Sequence, residues 1–348
     1  MEIPLSVRTA WLNSLNVTDS QRVSGGFSSS RVWKLTAHDG SYCLKAWPRD
    51  STMQQRLTNI HKHLQLLADG QLGFVPRVIP NRRGAGLLEH EQWIWEVTTW
   101  LRGEADISGN VSIERRKSAA DAIAQVHHLW RKNLVDRDFS PGLNGRIALL
   151  KEAHLQLPEC SSIIKSRPSL DIFTGGESID VESPEAIDLA QRTLQHLSRS
   201  ATRLIDRMVE LNCPLDLHFV MRDLHSDHIL YVGDHVTGLI DFGAARWDEP
   251  MLDLVRWLSS QLPFDRSSRY ESLEYYFRKL EELTGSRSGS DKSFLLRRFS
   301  VLDEVSTMLS AWYWFDWLVI ERRTFSVPAR MIALRWAQLL SRLDRSEW

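Results

Sequence analysis

The sequence has little of what marks secreted, membrane and zinc-binding proteins. It contains 3 cysteines in 348 residues, and because none forms a C-x-x-C pair, neither a disulfide framework nor a zinc site is indicated. The most apolar segment, Val305–Ile320, contains Asp316 and is shorter than the roughly 20 residues of a membrane-spanning helix. Residues 1–16 lack a continuous apolar core, which is not typical of a signal peptide. We therefore expect a cytoplasmic protein with no membrane partner.

The sequence also lacks an excess of charge of either sign. Lysine and arginine number 43 and aspartate and glutamate 44, which gives a formal net charge of −1. Such a balance provides no general attraction to nucleic acid or to anionic membranes, so no nucleic-acid partner is expected. Because single hydrophobic cores stop growing at about 250 to 300 residues, a chain of 348 residues is expected to form two lobes.

What the chain does contain is a dense polar motif between residues 218 and 243. Two short apolar runs, Ile229–Val232 and Val236–Ile240, are separated by Gly233-Asp234-His235, the composition of a tight β-hairpin turn. A hairpin brings its two ends together, so the carboxylates at those ends are expected to form a metal and phosphate site. The polar residues are Asp223, His225, Asp227 and His228 before the hairpin and Asp241-Phe242-Gly243 after it.

These residues resemble the catalytic motifs of the aminoglycoside phosphotransferase and choline kinase family, which has a protein-kinase-like fold. The family pattern is H-G-D-x-x-x-x-N, then a hairpin and a D-F-G-like motif, and the residues here fall at that spacing. The resemblance implies that Asp223 orients or deprotonates the acceptor hydroxyl and that Asp241 binds Mg²⁺. His228 stands at the second metal position in place of asparagine, and Met221 replaces the histidine of the loop. The alternative is an ordinary β-hairpin with solvated acidic ends.

Two further segments correspond to parts of a nucleotide site. Gly25, Gly26 and Ser28 lie in a turn between strand-like runs, where glycine lets the backbone approach anionic oxygens. The resemblance implies that this turn covers the ATP phosphates, although a plain hairpin turn has the same composition. By the same resemblance, Trp100 and Leu101 lie in the hinge whose backbone contacts adenine.

Lys45 is the predicted phosphate-binding lysine. It lies in the alternating strand Ser41–Trp47, on the face opposite to Leu44, and an exposed surface lysine is the alternative. Kinase-like folds usually pair this lysine with a glutamate of the following helix, but the helix expected at Ser51–Ala68 contains no acidic residue. The partners left open for Lys45 are Gln54, Gln55, Gln65, His61 or the nucleotide alone.

The rest of the chain is predicted to be mainly helical. Asp253 resembles the family aspartate that starts a helix and supports the catalytic loop from behind, although Pro250 and nearby acids also suit a helix start without function. His127, near the end of the helix predicted at Ser112–Arg131, is expected to be structural rather than a ligand. Further helices are predicted at 184–211, 267–283, 292–320 and 327–343.

Together these observations predict an α+β, two-lobed protein-kinase-like fold. Residues 1–101 form a nucleotide-binding lobe around a small antiparallel sheet, and residues 102–348 form a mainly helical lobe with catalytic and substrate-binding residues. The predicted activity is transfer of the ATP γ-phosphate to a hydroxyl of a metabolite or aminoglycoside-like molecule, with Mg²⁺ or Mn²⁺. Two alternatives stay open, a pseudokinase-like binding protein without turnover and an adaptor whose site is vestigial.

Overall fold

The structure is a computed structural model that describes residues 2–23, 30–106, 111–132, 137–166, 184–261, 266–285, 291–325 and 327–345. Contacts between residues group the chain into two units, each formed from segments that are separate in sequence. The first unit consists of Met1–Leu134, His218–Asp253 and Ser260–Arg287. The second consists of Val135–Leu217, Leu254–Ser259 and Ser288–Trp348. The lobe boundary after residue 101 stays a prediction.

Helices and strands are numbered along the chain. The helices are α1 (Leu5–Val7), α2 (Met53–Asp69), α3 (Ile113–Arg131), α4 (Pro141–Leu155), α5 (Leu157–Lys165), α6 (Pro184–Glu210), α7 (Met251–Ser259), α8 (Arg266–Thr284), α9 (Lys292–Phe315) and α10 (Ala329–Asp344). The strands are β1 (Val17–Val23), β2 (Arg31–Ala37), β3 (Gly40–Pro48), β4 (Leu87–His90), β5 (Trp93–Thr99), β6 (Glu104–Ala105), β7 (His218–Val220), β8 (Ile229–Val232), β9 (His235–Leu239) and β10 (Arg246–Asp248). The helix predicted at 292–320 is α-helical to Phe315 and continues as a π-helical turn, Asp316–Ile320.

A five-stranded antiparallel sheet in the order β1-β2-β3-β5-β4 organises the first unit. This confirms the predicted antiparallel sheet. The central strand β3 pairs with β2 and β5, and its register puts Lys45 opposite Glu96 of β5. Two smaller sheets belong to the same unit, one in which β10 pairs with β7 and one in which β8 lies between β6 and β9. They carry the polar motif at residues 218–243.

Alternation along β3 puts Leu44 and Lys45 on opposite faces of the strand, as predicted. Leu44 and Ala46 are 0% exposed and belong to a core that includes Trp33 and Trp95. Successive side chains of a strand point to opposite faces. Lys45 and Trp47 therefore share the face directed away from this core.

Helices α2 and α3 approach the sheet and the polar motif, and each has a capped start. At α2, the Asp50 carboxylate accepts hydrogen bonds from the Thr52 and Met53 amides, both at 2.8 Å. At α3, the Ser112 hydroxyl accepts from the Arg115 amide at 3.1 Å. Such bonds satisfy amides that have no partner within the helix. Helix α3 packs against α8, β7 and β9, which brings its buried face to the base of the polar motif.

The second unit is helical. Helices α4, α5, α6, α9 and α10 pack against one another, and the buried Glu304 of α9 pairs with Arg203 and Arg207 of α6. Trp312 and Trp314 are each 7% exposed, so these rings belong to the core. Within the residues that the structure describes, no helix has the length and apolar character needed to cross a membrane.

Candidate active site

The loop that follows β7 is held from behind by Asp253. This side chain is 0% exposed, and its two oxygens accept hydrogen bonds from the amides of Met221 at 2.8 Å and Arg222 at 2.5 Å. Both bonds fix the backbone immediately before Asp223. Asp253, at the start of α7, thus lies directly behind the loop.

A second layer of buried side chains holds Asp253 itself. His127 Nε2 lies 3.1 Å from Asp253 Oδ2, and His127 Nδ1 lies 2.7 Å from the Tyr276 hydroxyl. Burial, together with the neighbouring His127, lowers the pKa of His218 to about 3, so the His218 ring is neutral. The expectation that His127 is structural agrees with this position, and α3 and α8 together orient the support of the loop.

Arg222 occupies the loop position where the family pattern has glycine, and it adopts the backbone conformation that favours glycine. Its φ is +67°, a left-handed conformation that costs a residue with a Cβ about 1 kcal/mol or more. Two contacts offset this cost. One is the hydrogen bond from the Arg222 amide to Asp253 described above, and the other is an ion pair of 2.5 Å between Arg222 Nη1 and the fully buried Asp248. The loop therefore retains the left-handed turn although the glycine is missing.

Asp223, the predicted catalytic residue, projects from this loop with a histidine partner. The Asp223 side chain is 42% exposed, and its Oδ1 lies 3.0 Å from His225 Nε2. A partly exposed carboxylate is accessible to a bound hydroxyl. His225 was part of the polar cluster found in the sequence, but no role was predicted for it. Its position two residues after Asp223, where the loop backbone turns, could have indicated that the two side chains are close.

Lys45 and Asp241, predicted from distant parts of the chain, form an ion pair. Lys45 Nζ donates to Asp241 Oδ1 at 2.8 Å, with the two side chains 14% and 36% exposed. Burial acts to raise the pKa of Asp241, but its attraction to and hydrogen bond with Lys45, and its attraction to His228, hold that pKa below the ordinary value. The partners proposed for Lys45 in α2 are therefore wrong in this structure, because the lysine reaches across to the D-F-G aspartate instead.

His228 faces Asp241 with one ring nitrogen and the loop backbone with the other. Its Nδ1 lies 2.7 Å from the Asp223 carbonyl oxygen, which identifies Nδ1 as the protonated nitrogen. The other ring nitrogen, Nε2, is directed toward Asp241 Oδ2, 3.8 Å away. An imidazole nitrogen and a carboxylate oxygen that converge in this way fit a divalent metal ion.

The two side chains alone do not complete a metal coordination shell. No group of three or more His, Cys, Asp or Glu side chains is placed to hold a metal ion within the described ranges. Mg²⁺ commonly keeps several waters and takes further oxygens from substrate phosphates. The donor set at His228 and Asp241 thus fits a nucleotide-associated metal better than a structural one.

Gly243 allows close packing beside this pair. A Cβ atom at Gly243 would lie 2.4 Å from the Trp47 ring, a distance that a side chain cannot adopt. Arg56 of α2 donates a hydrogen bond to the Gly243 carbonyl. The end of the D-F-G segment is consequently enclosed by β3 on one side and α2 on the other.

A buried acid, Glu96, lies next to this site and was not predicted. Its carboxylate accepts a hydrogen bond of 2.7 Å from Trp47 Nε1 and lies 2.5 Å from His61 Nε2. The sequence did contain a signal, because Glu96 is a single charged residue within the apolar run Trp93–Val97, and charged residues are rarely buried unless paired.

The predicted hinge is joined to the β8–β9 hairpin. Gly103 has a φ of +114°, and a Cβ there would lie 2.5 Å from Thr237 Oγ1, while Thr237 donates to the Arg102 carbonyl at 2.6 Å. The Trp100 amide donates to the Ser41 carbonyl at 3.0 Å, so that amide is already engaged. Leu101 stays the prediction for a backbone contact to a base.

The predicted turn residues Gly25, Gly26 and Ser28 lie outside the described residues.

Solved structures of known proteins match the chain over nearly its whole length. A spectinomycin phosphotransferase, solved with ADP and spectinomycin, is 11% identical with a TM-score of 0.64, and the match covers 98% of this chain and 96% of that one. An aminoglycoside phosphotransferase from Alicyclobacillus acidocaldarius is 15% identical with a TM-score of 0.61 and coverages of 99% and 94%. An amicoumacin kinase, solved with AMP-PNP and Ca²⁺, is 12% identical with a TM-score of 0.58 and coverages of 94% and 89%. At these identities the likeness shows the fold, a kinase-like combination of an antiparallel sheet lobe and a helical lobe.

Sequence comparison gives the family. A search of curated proteins finds no match to the chain. The model of the phosphotransferase enzyme family, however, matches residues 19–285, a range that contains Lys45, the catalytic loop and the D-F-G segment. This chain belongs to the phosphotransferase enzyme family.

Proposed function

We propose that this protein transfers the γ-phosphoryl group of ATP to a hydroxyl group of a small molecule. The observation that carries the proposal is the 2.8 Å ion pair between Lys45 and Asp241, which joins the predicted phosphate ligand to the predicted metal ligand. Family membership supports a phosphotransferase. Similar structures solved with ADP or AMP-PNP support nucleotide as the phosphoryl donor.

Asp223 acts on the acceptor in this proposal. The acceptor oxygen forms a bond to the γ-phosphorus, the bond from that phosphorus to the bridging oxygen of ADP breaks, and the hydroxyl proton passes to Asp223. The side chain is 42% exposed, and the bonds from the loop backbone to Asp253 hold it at a fixed position. Fixed positioning of the hydroxyl is a large part of catalysis in phosphoryl transfer.

Lys45, Asp241 and His228 act on the nucleotide. Lys45 binds phosphate oxygens as a charged hydrogen-bond donor, and Asp241 with His228 holds a divalent metal ion. A bound Mg²⁺ or Mn²⁺ neutralises charge on the phosphates. Gly25, Gly26 and Ser28 are proposed to cover the phosphates and Leu101, with Trp100 beside it, to contact the base.

The acceptor is proposed to be a small hydroxylated molecule. Among similar structures, the spectinomycin phosphotransferase was solved with spectinomycin, which supports including aminoglycoside-like compounds with ordinary metabolites in a search. The formal net charge of −1 gives no reason to expect nucleic acid as a partner.

The test is a transfer assay with purified protein, ATP and Mg²⁺ over a panel of hydroxylated metabolites and aminoglycosides. Mass spectrometry detects a phosphorylated acceptor, and the Asp223→Asn variant serves as the inactive control. We expect at least one acceptor to be phosphorylated by the wild type and not by the variant. Absence of any product, or equal product from both proteins, contradicts the proposal.

A second candidate is a nucleotide-binding protein without turnover. The observation that favours it is the replacement of two loop residues, with Met221 at the histidine position and His228 at the asparagine position. Binding measured by thermal shift with ATP and Mg²⁺, together with no transfer and no ATP hydrolysis, selects this candidate.

A further inference from the structure

Glu96 faces the same side of the sheet as Lys45. The two residues are direct partners in the antiparallel register of β3 and β5, and side chains of such a pair lie on one face. Glu96 is 7% exposed. A buried carboxylate of this kind needs charged or hydrogen-bonding partners to stay ionised.

Glu96 has those partners. His61 Nε2 lies 2.5 Å from one of its oxygens, and Trp47 Nε1 donates to the other at 2.7 Å. Burial acts to raise the pKa of Glu96, but the contact with His61, the Trp47 hydrogen bond and the attraction to Lys45 hold it below the ordinary value. Glu96 is therefore a negative charge next to the lysine.

Trp47 connects Glu96 to the lysine. Lys45 Nζ lies 4.1 Å from the centroid of the Trp47 ring, a favourable cation–π distance. The hydrogen bond from the indole to Glu96 fixes the plane of this ring, and the far edge of the ring packs against Gly243. A change at Glu96 is thus expected to move the surface on which the lysine ammonium rests.

His61 connects the same carboxylate to α2, the helix that lacks an acidic partner for Lys45. Helix α2 also contacts the D-F-G segment, because Arg56 donates to the Gly243 carbonyl. Two contacts, one to the sheet and one to the D-F-G segment, therefore dock this helix beside Lys45. In this chain the helix supplies the histidine and the strand supplies the acid.

Lys45 pairs with Asp241 here, and in the proposed function Asp241 binds the metal ion, so we expect this pairing to weaken when nucleotide binds. Glu96 lies opposite Lys45 on the neighbouring strand. We propose that Glu96, held by Trp47 and tied to α2 by His61, is the positioning residue for Lys45 and replaces the missing helix acid. This inference rests on the proposed nucleotide binding at Lys45.

The test measures the dissociation constant for AMP-PNP with Mg²⁺ by isothermal titration calorimetry. We expect Glu96→Gln to weaken binding about tenfold, in the range of one charge-assisted contact. The matched control is Glu89→Gln, because Glu89 lies on the adjacent strand β4 and pairs with Arg49 at the surface. That variant is expected to stay within about twofold of the wild type.

A double variant separates positioning from general structural support. If Glu96 acts through Lys45, then Glu96→Gln added to Lys45→Met has little further effect on the dissociation constant. An equal further loss in the Lys45→Met background overturns the proposal, as does unchanged affinity in Glu96→Gln alone. A wild type that binds no nucleotide instead refutes the proposed function.

Two more variants keep the inference testable if Glu96→Gln does not fold. Trp47→Phe keeps a smaller aromatic ring but removes the N–H donor, so we expect about threefold weaker binding; unchanged affinity contradicts the proposal. The exchange of His61→Glu with Glu96→His returns the acid to the helix. Recovery of affinity toward the wild type supports the proposal, and affinity no better than that of Glu96→His alone contradicts it.

Discussion

The catalytic loop and the lysine region of the first unit depart from the family pattern in opposite ways. The loop differs from the family motif at three positions, which are Met221, Arg222 and His228. Its backbone is nevertheless held by the Asp253 side chain. The lysine region keeps Lys45, but the following helix has no acidic residue between Met53 and Ala68, and a carboxylate on β5 lies next to the lysine instead. The comparison shows that the geometry of a site and the residues of its sequence motif can change separately.

The largest effect is expected from the loop. Asp223→Asn keeps the size of the side chain but removes the proton acceptor, so we expect kcat to fall about 100- to 10,000-fold. ATP affinity is expected to stay within a few fold, because a hydroxyl-orienting base acts mainly in the transition state. Steady-state kinetics and calorimetry measure the two quantities.

Asp227→Asn is the matched control for this prediction. Asp227 is an exposed carboxylate in the same loop, and its amide variant is expected to retain activity. Loss of ATP binding in a folded Asp223→Asn protein would argue against the assigned role.

The support of the loop gives the next largest effect. Asp253→Ala leaves the buried Met221 amide, the partly buried Arg222 amide and His127 without their acceptor, which is expected to lower the free energy of unfolding by about 3 kcal/mol. Urea denaturation measures this change. Asp69→Ala, at an exposed position on α2, is expected to change stability by less than about 0.5 kcal/mol. Similar losses in the two variants would show that Asp253 does not support the loop.

These comparisons also show what the sequence could predict. The two faces of β3 follow from the period of a strand, and the hairpin follows from Gly233 between two apolar runs. The family resemblance assigned Lys45 and Asp241 to one nucleotide site, but it did not predict that they pair with each other, and the two residues are 196 positions apart. The proximity of Glu96 to Lys45 depends on the register of β3 and β5, which local sequence patterns do not determine.

The lysine region is expected to give a pH-dependent effect on stability. The pKa of Glu96 in the folded protein lies below its ordinary value of 4.5, so its ionised form stabilises the fold above that pH. This contribution is lost as the pH falls through the lowered folded-state pKa. Glu96→Gln is therefore expected to be less stable than the wild type by about 1 kcal/mol at pH 7, with a difference that shrinks in acid. Urea denaturation across pH checks this, and a constant difference would contradict it.

The smallest effect concerns metal preference at His228. Because imidazole suits Mn²⁺ better than Mg²⁺, His228→Asn is expected to shift the ratio of Mn²⁺- to Mg²⁺-supported activity toward Mg²⁺ by a few fold. If this metal ratio does not move, His228 is not a ligand.

The most direct test of the central claim is calorimetric titration of AMP-PNP with and without Mg²⁺. The account predicts that Mg²⁺ strengthens binding to the wild type, that Asp241→Asn removes this enhancement, and that Lys45→Met weakens binding about 10- to 150-fold. A wild type that binds no nucleotide, or an Asp241→Asn protein that keeps the full Mg²⁺ enhancement, would contradict it.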